Sequence, residues 1–408
     1  MSFEVVRWLN RLFYYSLLLV AFLLPVHSRF TGIFIAIALF SWLAANRFQF
    51  SFQYRKKSVA TILISLYLCY LLGVTYSLNQ TEAWHQVLLR ITLFIFPLLF
   101  FSDSVLELPD SSDAAKWFVA GGLLTSLLLL AHAAFVFFFD NTSIFYSSNM
   151  TAFMHITPAY LSMYFVFMNV FLLHSILNHK MRLLHSIINL VLIALFTLMI
   201  LLLSVRTEML ALLVAFVLQV MRHFLSQNKL WQGIAAALLI GIVLIGISWI
   251  LPFSRARIVE TEQQWNKAYS NDNPTSITER KVIWQTAAEL IMHRPLIGVG
   301  TGDVQDDLYD AYRANNLKWP LEDKLNAHNQ FLQTSLALGV IGFVALVLLF
   351  GCGLKLSIAA LHDVYFLFLL TFILSSITES MFETESGVVF FGLFNSLMAN
   401  ECLSLRPT

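Results

Sequence analysis

Apolar stretches of about 16–24 residues recur along almost the whole chain, each near the length a helix needs to cross the hydrocarbon of a bilayer. They run near 12–26, 30–45, 59–77, 85–101, 117–139, 154–177, 184–204, 206–221, 231–251, 329–351, 358–377 and 387–403. Hydrophobic residues make up 58% of the 408 positions and charged residues only 12%, against an apolar share of roughly 45–50% in soluble proteins. Lipid must be the solvent for most of this surface. The expected fold class is an all-α polytopic membrane protein with about twelve transmembrane helices. Arg7 and Arg11 precede the first apolar run as they would in a signal peptide, but no small-residue cleavage site follows, so that run reads as the first membrane helix. Cys69, Cys352 and Cys402 lie in or beside apolar runs without metal-ligand spacing, which argues against a disulfide framework or a zinc site.

Lys and Arg residues set the expected orientation. With the N-terminus inside, the cytoplasmic segments collect thirteen: Arg7, Arg11, Arg47, Arg55, Lys56, Lys57, Lys116, Lys180, Arg182, Arg222, Lys229, Lys355 and Arg406. The short external connections collect only Arg29 and Arg206. Both termini are therefore expected in the cytoplasm, with residues 1–251 forming helices one to nine and 328–408 forming helices ten to twelve and the C-terminus. Between them, residues 252–327 carry 20 of the 49 Asp, Glu, Lys and Arg residues, on the external side. This large loop should be partly helical. Ser276 and Glu279 make a capping-box pattern opening a helix over about 277–292, with Ile283, Ala287, Leu290 and Ile291 as its apolar stripe. "HRPLIGVGTG" ends that helix, and a second short helix is expected over 303–313.

Ionisable groups at membrane depth are costly and call for a reason. Arg206, in "LLLSVRTEMLALL", has almost no loop around it; it reads either as a snorkelling side chain or as an anion clamp facing an external cavity. Arg90 lies further into a span and reads as a partner of a carboxylate such as Glu379 or as a substrate contact. Arg280 sits in the first turns of the capped helix, where a phosphate would meet both a bidentate guanidinium and the positive end of the helix dipole. The plain alternative is a solvated charge. His328 and Asn329 mark the seam where the chain re-enters the membrane. An interfacial histidine is more often a packing or capping residue than a catalyst, yet an imidazole is the most suitable general base on that face. Gly339 and Gly342 behind it would let this helix pack closely on a neighbour and so aim the ring. Glu379 is placed to orient His328 or an arginine, or to form a structural ion pair. Asp306 and Asp307 read as the solvated face of the second loop helix rather than as metal ligands.

The segments "SVRTE" (204–208), "ERKVIWQTAAELIMHRPLIGVGTG" (279–302), "HNQFLQTSLALGVIG" (328–342) and "ITESMFETESG" (377–387) together resemble the O-antigen ligase and O-antigen polymerase superfamily. The resemblance covers roughly residues 200–400 by motif and the whole chain by span count. It implies a bacterial inner-membrane enzyme that moves a glycan from undecaprenyl diphosphate to an acceptor hydroxyl on the periplasmic side. Arginines matching Arg206 and Arg280 would grip the diphosphate, and the histidine matching His328 would activate the acceptor; the reading of the residues themselves adds Arg90 as a further candidate substrate contact and Glu379 and Asn329 in support.

The chemistry fits these residues in its own right. A lipid diphosphate is a good leaving group that needs charge stabilisation, which arginines supply, and the attacking hydroxyl needs a base, which favours inversion. No metal, other cofactor or nucleic-acid partner is expected. The acceptor is expected to be the lipid A core, making the chain a ligase, on the closer likeness of "HNQFLQ" and "ITES" and the absence of a dense second cationic patch in the loop. A polymerase, joining lipid-linked repeat units, shares every residue named. A transporter or flippase of lipid-linked glycan is the reading of a different class; the chain shows no repeated halves to support it.

Overall fold

The computed structural model describes residues 3–47, 58–154, 156–178, 180–264, 267–272 and 275–404. Arg55, Lys56, Lys57 and Arg406 of the charge pattern lie outside the described residues. Among the described residues eighteen α-helices run in chain order: α1 (Phe3–His27), α2 (Thr31–Ala45), α3 (Ser58–Gly73), α4 (Gln80–Leu89), α5 (Thr92–Phe101), α6 (Ser111–Asp140), α7 (Ser147–Thr151), α8 (Pro158–Asn178), α9 (Leu183–Leu203), α10 (Arg206–Ser226), α11 (Leu230–Ile250), α12 (Pro252–Gln264), α13 (Ser276–His293), α14 (Val304–Ala314), α15 (Lys318–Glu322), α16 (Gln330–Ala359), α17 (Asp363–Thr378) and α18 (Glu385–Ser404). No strand occurs among the described residues.

Nine helical stretches among the described residues are long and apolar enough to cross a membrane, so the chain is a multi-pass membrane protein. One of the nine, Phe3–Ala45, is the α1–α2 pair, and another, Gln80–Phe101, joins α4 to α5 through Arg90 and Ile91. The nine do not include α17, which is apolar but only 16 residues long, or α18. The burial of α18 explains its composition. Residues Ser386 to Ala399 are buried without a break, so this helix is surrounded by protein and has no need of a uniformly apolar surface. Its Phe390, Phe391 and Phe394 interlock with Phe118 of α6, Phe167 of α8 and Phe368 and Phe372 of α17, at ring-centroid distances from 4.6 to 6.5 Å. Asn395 on the same helix accepts a hydrogen bond from Tyr365 at 2.8 Å.

The long helix α16 is broken. Gly339 adopts φ +61° and ψ −152°, inside what is otherwise a helix of 30 residues. The amides freed around the break do not go unpaired. Residues 295–300, beyond the end of α13, lie along it: Val299 N–H donates to Leu336 O (2.8 Å), Gly300 N–H to Ala337 O (3.1 Å), and Val340 N–H to Pro295 O (2.8 Å). The same strap is stitched to α3 and α4. Thr301 donates to Tyr70 O (2.7 Å), Gly302 N–H donates to Ser77 Oγ (3.0 Å), and the Asp303 carboxylate accepts from the amides of Leu78 and Asn79 (2.8 and 2.7 Å).

This corrects the reading of Gly339. Gly339 does let another chain segment approach, but the segment is the 296–297 backbone and not a neighbouring membrane helix; a Cβ there would lie 2.4 Å from Leu296 O. A Cβ at Gly342 would first meet the side chains of Leu338 and Thr334 on its own helix.

Candidate active site

Three connections converge at one end of α8, α10 and α17. The α9–α10 turn is only two residues long. Ser204 takes a left-handed conformation (φ +55°), and Val205 is the N-cap that launches α10 with Arg206 as its first residue. The Arg206 guanidinium is then spread over three acceptors: Nε donates to Arg257 O (3.2 Å), Nη1 to Ser276 Oγ (3.1 Å) and Nη2 to Glu260 Oε2 (2.7 Å). Arg257 shares that Glu260 oxygen at 3.1 Å.

The expected capping box is one residue out of register. Thr275 is the N-cap of α13: its hydroxyl accepts from Thr278 N–H, and the Thr278 hydroxyl accepts from Thr275 N–H. Threonine at both positions satisfies the reciprocal geometry, and Ser276 is thereby left to accept from Arg206. Arg280 lies in the second turn of α13, where Nη2 reaches Glu379 Oε1 at 3.1 Å.

Glu379 is the C-cap of α17, and its second oxygen meets His328 Nδ1 at 3.0 Å. One carboxylate thus joins the histidine to the arginine. Burial alone would raise the Glu379 carboxyl; the His328 hydrogen bond, the His328 charge and Arg280 outweigh it and hold the group below the usual carboxylate range. With Nδ1–H donating to Glu379, the imidazole lone pair is on Nε2, the form a general base requires.

His328 itself has φ +43°. Asn326 stabilises that conformation by accepting His328 N–H at 2.9 Å. The next two residues anchor the turn. Asn329 caps α16, accepting from Phe331 and Leu332 N–H (2.9 and 3.1 Å), and its own N–H donates to Ser380 Oγ (3.2 Å). Gln330, fully buried, accepts from Phe382 N–H (2.5 Å).

Arg206, Arg257, Ser276, Arg280, His328 and Glu379 line a single cavity of about 380 Å³. Arg90 does not. It is 2% exposed, stacks on the Tyr70 ring (4.4 Å to the centroid) and pairs with Glu383, four residues beyond the Glu379 partner suggested by the sequence. Gln86 is a further acceptor for it. Arg90 therefore pins the 379–384 turn from the α4–α5 side, as Tyr160 does from α8 by donating to Ser380 O at 3.0 Å. Asp306 accepts from Asn79 at 2.8 Å and so helps seat α14. Among the described residues no group of three His, Cys, Asp or Glu side chains could hold a metal ion.

Sequence reasoning missed Arg257, Glu260, Asn326 and Glu208, and read Ser276 only as a cap. The spacing of three between Arg257 and Glu260 is the helical ion-pair signal that could have found them. Glu208, two residues after Arg206, is 1% exposed and accepts from Ser375 Oγ at 2.6 Å, locking α10 to α17 beneath the cavity. Thr207 and Thr378 add a hydroxyl contact at 2.8 Å across the same seam.

Residues 190–347 match the family model described as O-antigen ligase. This stretch holds Arg206, Arg257, Arg280, His328 and Asn329; Glu379 and Arg90 fall outside it. The chain is thus a multi-pass helical membrane protein that is similar over residues 190–347 to the O-antigen ligase family. An uncharacterized protein of Haemophilus influenzae is 26% identical over 153 residues, which is 34% of this chain and 35% of the relative.

Proposed function

We propose that the chain is a glycosyltransferase of the bacterial inner membrane, moving a glycan from undecaprenyl diphosphate to an acceptor hydroxyl on the periplasmic face. The observation that carries this reading is the joining of His328 to Arg280 through Glu379, in a cavity that Arg206 and Arg257 also line. A diphosphate needs several fixed cations and a sugar acceptor needs a base, and candidates for both line this cavity.

In the proposed reaction the acceptor hydroxyl approaches His328 Nε2 and attacks the anomeric carbon. The bond from that carbon to the diphosphate oxygen breaks, the new glycosidic bond forms on the opposite face, and the hydroxyl proton passes to His328. The configuration inverts. Glu379 stabilises the imidazolium that results, while Arg206, Arg280 and Arg257 offset the charge growing on the departing undecaprenyl diphosphate. Because three guanidiniums neutralise that charge, the reaction should proceed in excess chelator. Both chain termini face the cytoplasm in this reading, and Arg90 supports the site without touching substrate.

The lipid A core is the favoured acceptor. Purified protein in lipid nanodiscs, given undecaprenyl-diphosphate polysaccharide and lipid A core, should yield lipid A carrying long glycan. If it instead lengthens the lipid-linked glycan from single repeat units and leaves lipid A untouched, the chain is a polymerase. Donor that crosses the bilayer without any new glycosidic bond would mark a transporter.

A further inference from the structure

A cavity of about 550 Å³ lies at the other end of the bundle. It is larger than the one His328 lines and falls within the roughly 300–1,000 Å³ of small-ligand pockets. Thr378 and Glu379 border the His328 cavity at the C-terminus of α17. His362 and Val364 border this one at the N-terminus of the same helix, about 24 Å away at about 1.5 Å per residue. Its walls are of two kinds. Phe167 and Met398, both buried, with Phe171 and Leu192 beside them, make an apolar interior. Ser112, Lys116 and His185, all exposed, mark a polar mouth. Part of the polar lining is already answered from within. Glu401 accepts the Ser111 N–H at 2.5 Å and its hydroxyl at 2.6 Å, and meets His362 Nε2 at 3.5 Å. Ser175 donates to Phe171 O at 2.9 Å. The mouth is different. Among the described residues Ser112 and His185 make no hydrogen bond, and Lys116 meets Asp113 at 2.8 Å, a carboxylate it shares with Tyr14. Lys180 and Arg182 flank Met181, another lining residue, and neither has an ion-pair partner among the described residues. Three cations and two unanswered donors thus surround an opening onto an apolar interior.

We infer that this cavity binds an anionic phospholipid of the cytoplasmic leaflet, with its phosphate at Lys116, His185 and Ser112 and the start of one acyl chain against Phe167, Phe171 and Leu192. The occupant follows from the two kinds of wall. A soluble anion would satisfy the mouth and leave the apolar interior facing water. A zwitterionic lipid would bring its own cation against Lys116, Lys180 and Arg182. An anionic head with an apolar continuation suits both. The leaflet follows from the orientation in which these three cations face the cytoplasm, where anionic lipids draw basic segments to the surface. The inference does not depend on the transfer reaction proposed for the far end of α17.

The test titrates phosphatidylglycerol into the full chain in detergent and counts retained lipid by native mass spectrometry. The chain should keep one phosphatidylglycerol at concentrations where it keeps no phosphatidylcholine. The double variant Lys116→Ala/His185→Ala, which replaces two exposed side chains, should weaken that binding about tenfold or more. Lys229→Ala removes an exposed cation at the start of α11, which does not line this cavity, and should change it less than about twofold. About a hundredfold excess of inorganic phosphate should leave the lipid in place. Equal retention of phosphatidylcholine, an equal loss in Lys229→Ala, or no retained lipid overturns the inference; displacement by phosphate would mark a site for the free anion instead and overturns it too. Position is read separately. In nanodiscs, a phosphatidylglycerol bearing a diazirine near its glycerol should label peptides holding 167–175 and 185–192, and labelling of neither also overturns the inference.

Discussion

Glu379 is the residue on which the others turn, because its two oxygens answer a histidine on one side and an arginine on the other. Its ionisation has a measurable consequence. The folded-state pKa lies below the ordinary value of 4.5, so its stabilising contribution is complete above that value and is lost as pH falls through the lower folded one. Thermal stability in detergent should therefore decline more steeply on the acid side, below about pH 4.5, in the native protein than in Glu379→Gln. Matching acid limbs would show that the carboxylate contributes nothing. The arginines make a second prediction. Arg206→Lys and Arg280→Lys each keep the charge, yet each should lower kcat/KM by at least about tenfold, because an ammonium cannot reproduce a planar grip shared among several acceptors. Normal activity in the lysine variants would mean that charge alone matters.

At the scale of elements, the site is made by turns whose geometry other turns enforce. The "HNQ" sequence divides its labour: His328 faces the cavity, Asn329 caps α16, and Gln330 holds the 382 amide. Of these, the place of His328 at the membrane seam was legible, since polar residues stopping at an apolar run locate it. The cap on α13 was legible only to within one residue, because Thr275, Ser276 and Thr278 are all competent and tertiary demand from Arg206 accompanies the choice. The break in α16 was not legible. A glycine in an apolar run looks the same whether it serves close packing or a positive φ, and the partner strand of backbone comes from 295–300, some forty residues away. "PLIGVG" read as a helix terminator; it is also the strap that satisfies the broken helix. Gly339→Ala should accordingly cost about 2–4 kcal/mol, from a conformation nearly confined to glycine and a clash with the Leu296 carbonyl. A clear drop in Tm with turnover falling alongside is the expected result. An unchanged Tm would mean that the break is not required.

Across the whole molecule, the apolar runs announced a helical multi-pass membrane protein, since length and hydrophobicity suffice for that; nine stretches among the described residues are long and apolar enough to span, against about twelve expected. They said less about α18, whose burial on all sides depends on neighbours drawn from α6, α8 and α17. The cavity draws on distant segments in a similar way: Arg206 from α10, Arg280 from the segment between α11 and α16, and Glu379 from the end of α17, while Arg90 on the α4–α5 pair braces the turn after Glu379. Only the bundle brings them to one place, which is why motifs 170 positions apart could be suspected of acting together but not arranged. The account stands or falls on His328. In nanodiscs, His328→Ala should bind the undecaprenyl-diphosphate donor within about twofold of the native protein and lose transfer by about 10²–10⁴-fold, the usual consequence of removing a general base. Near-normal turnover by a folded His328→Ala protein would contradict it.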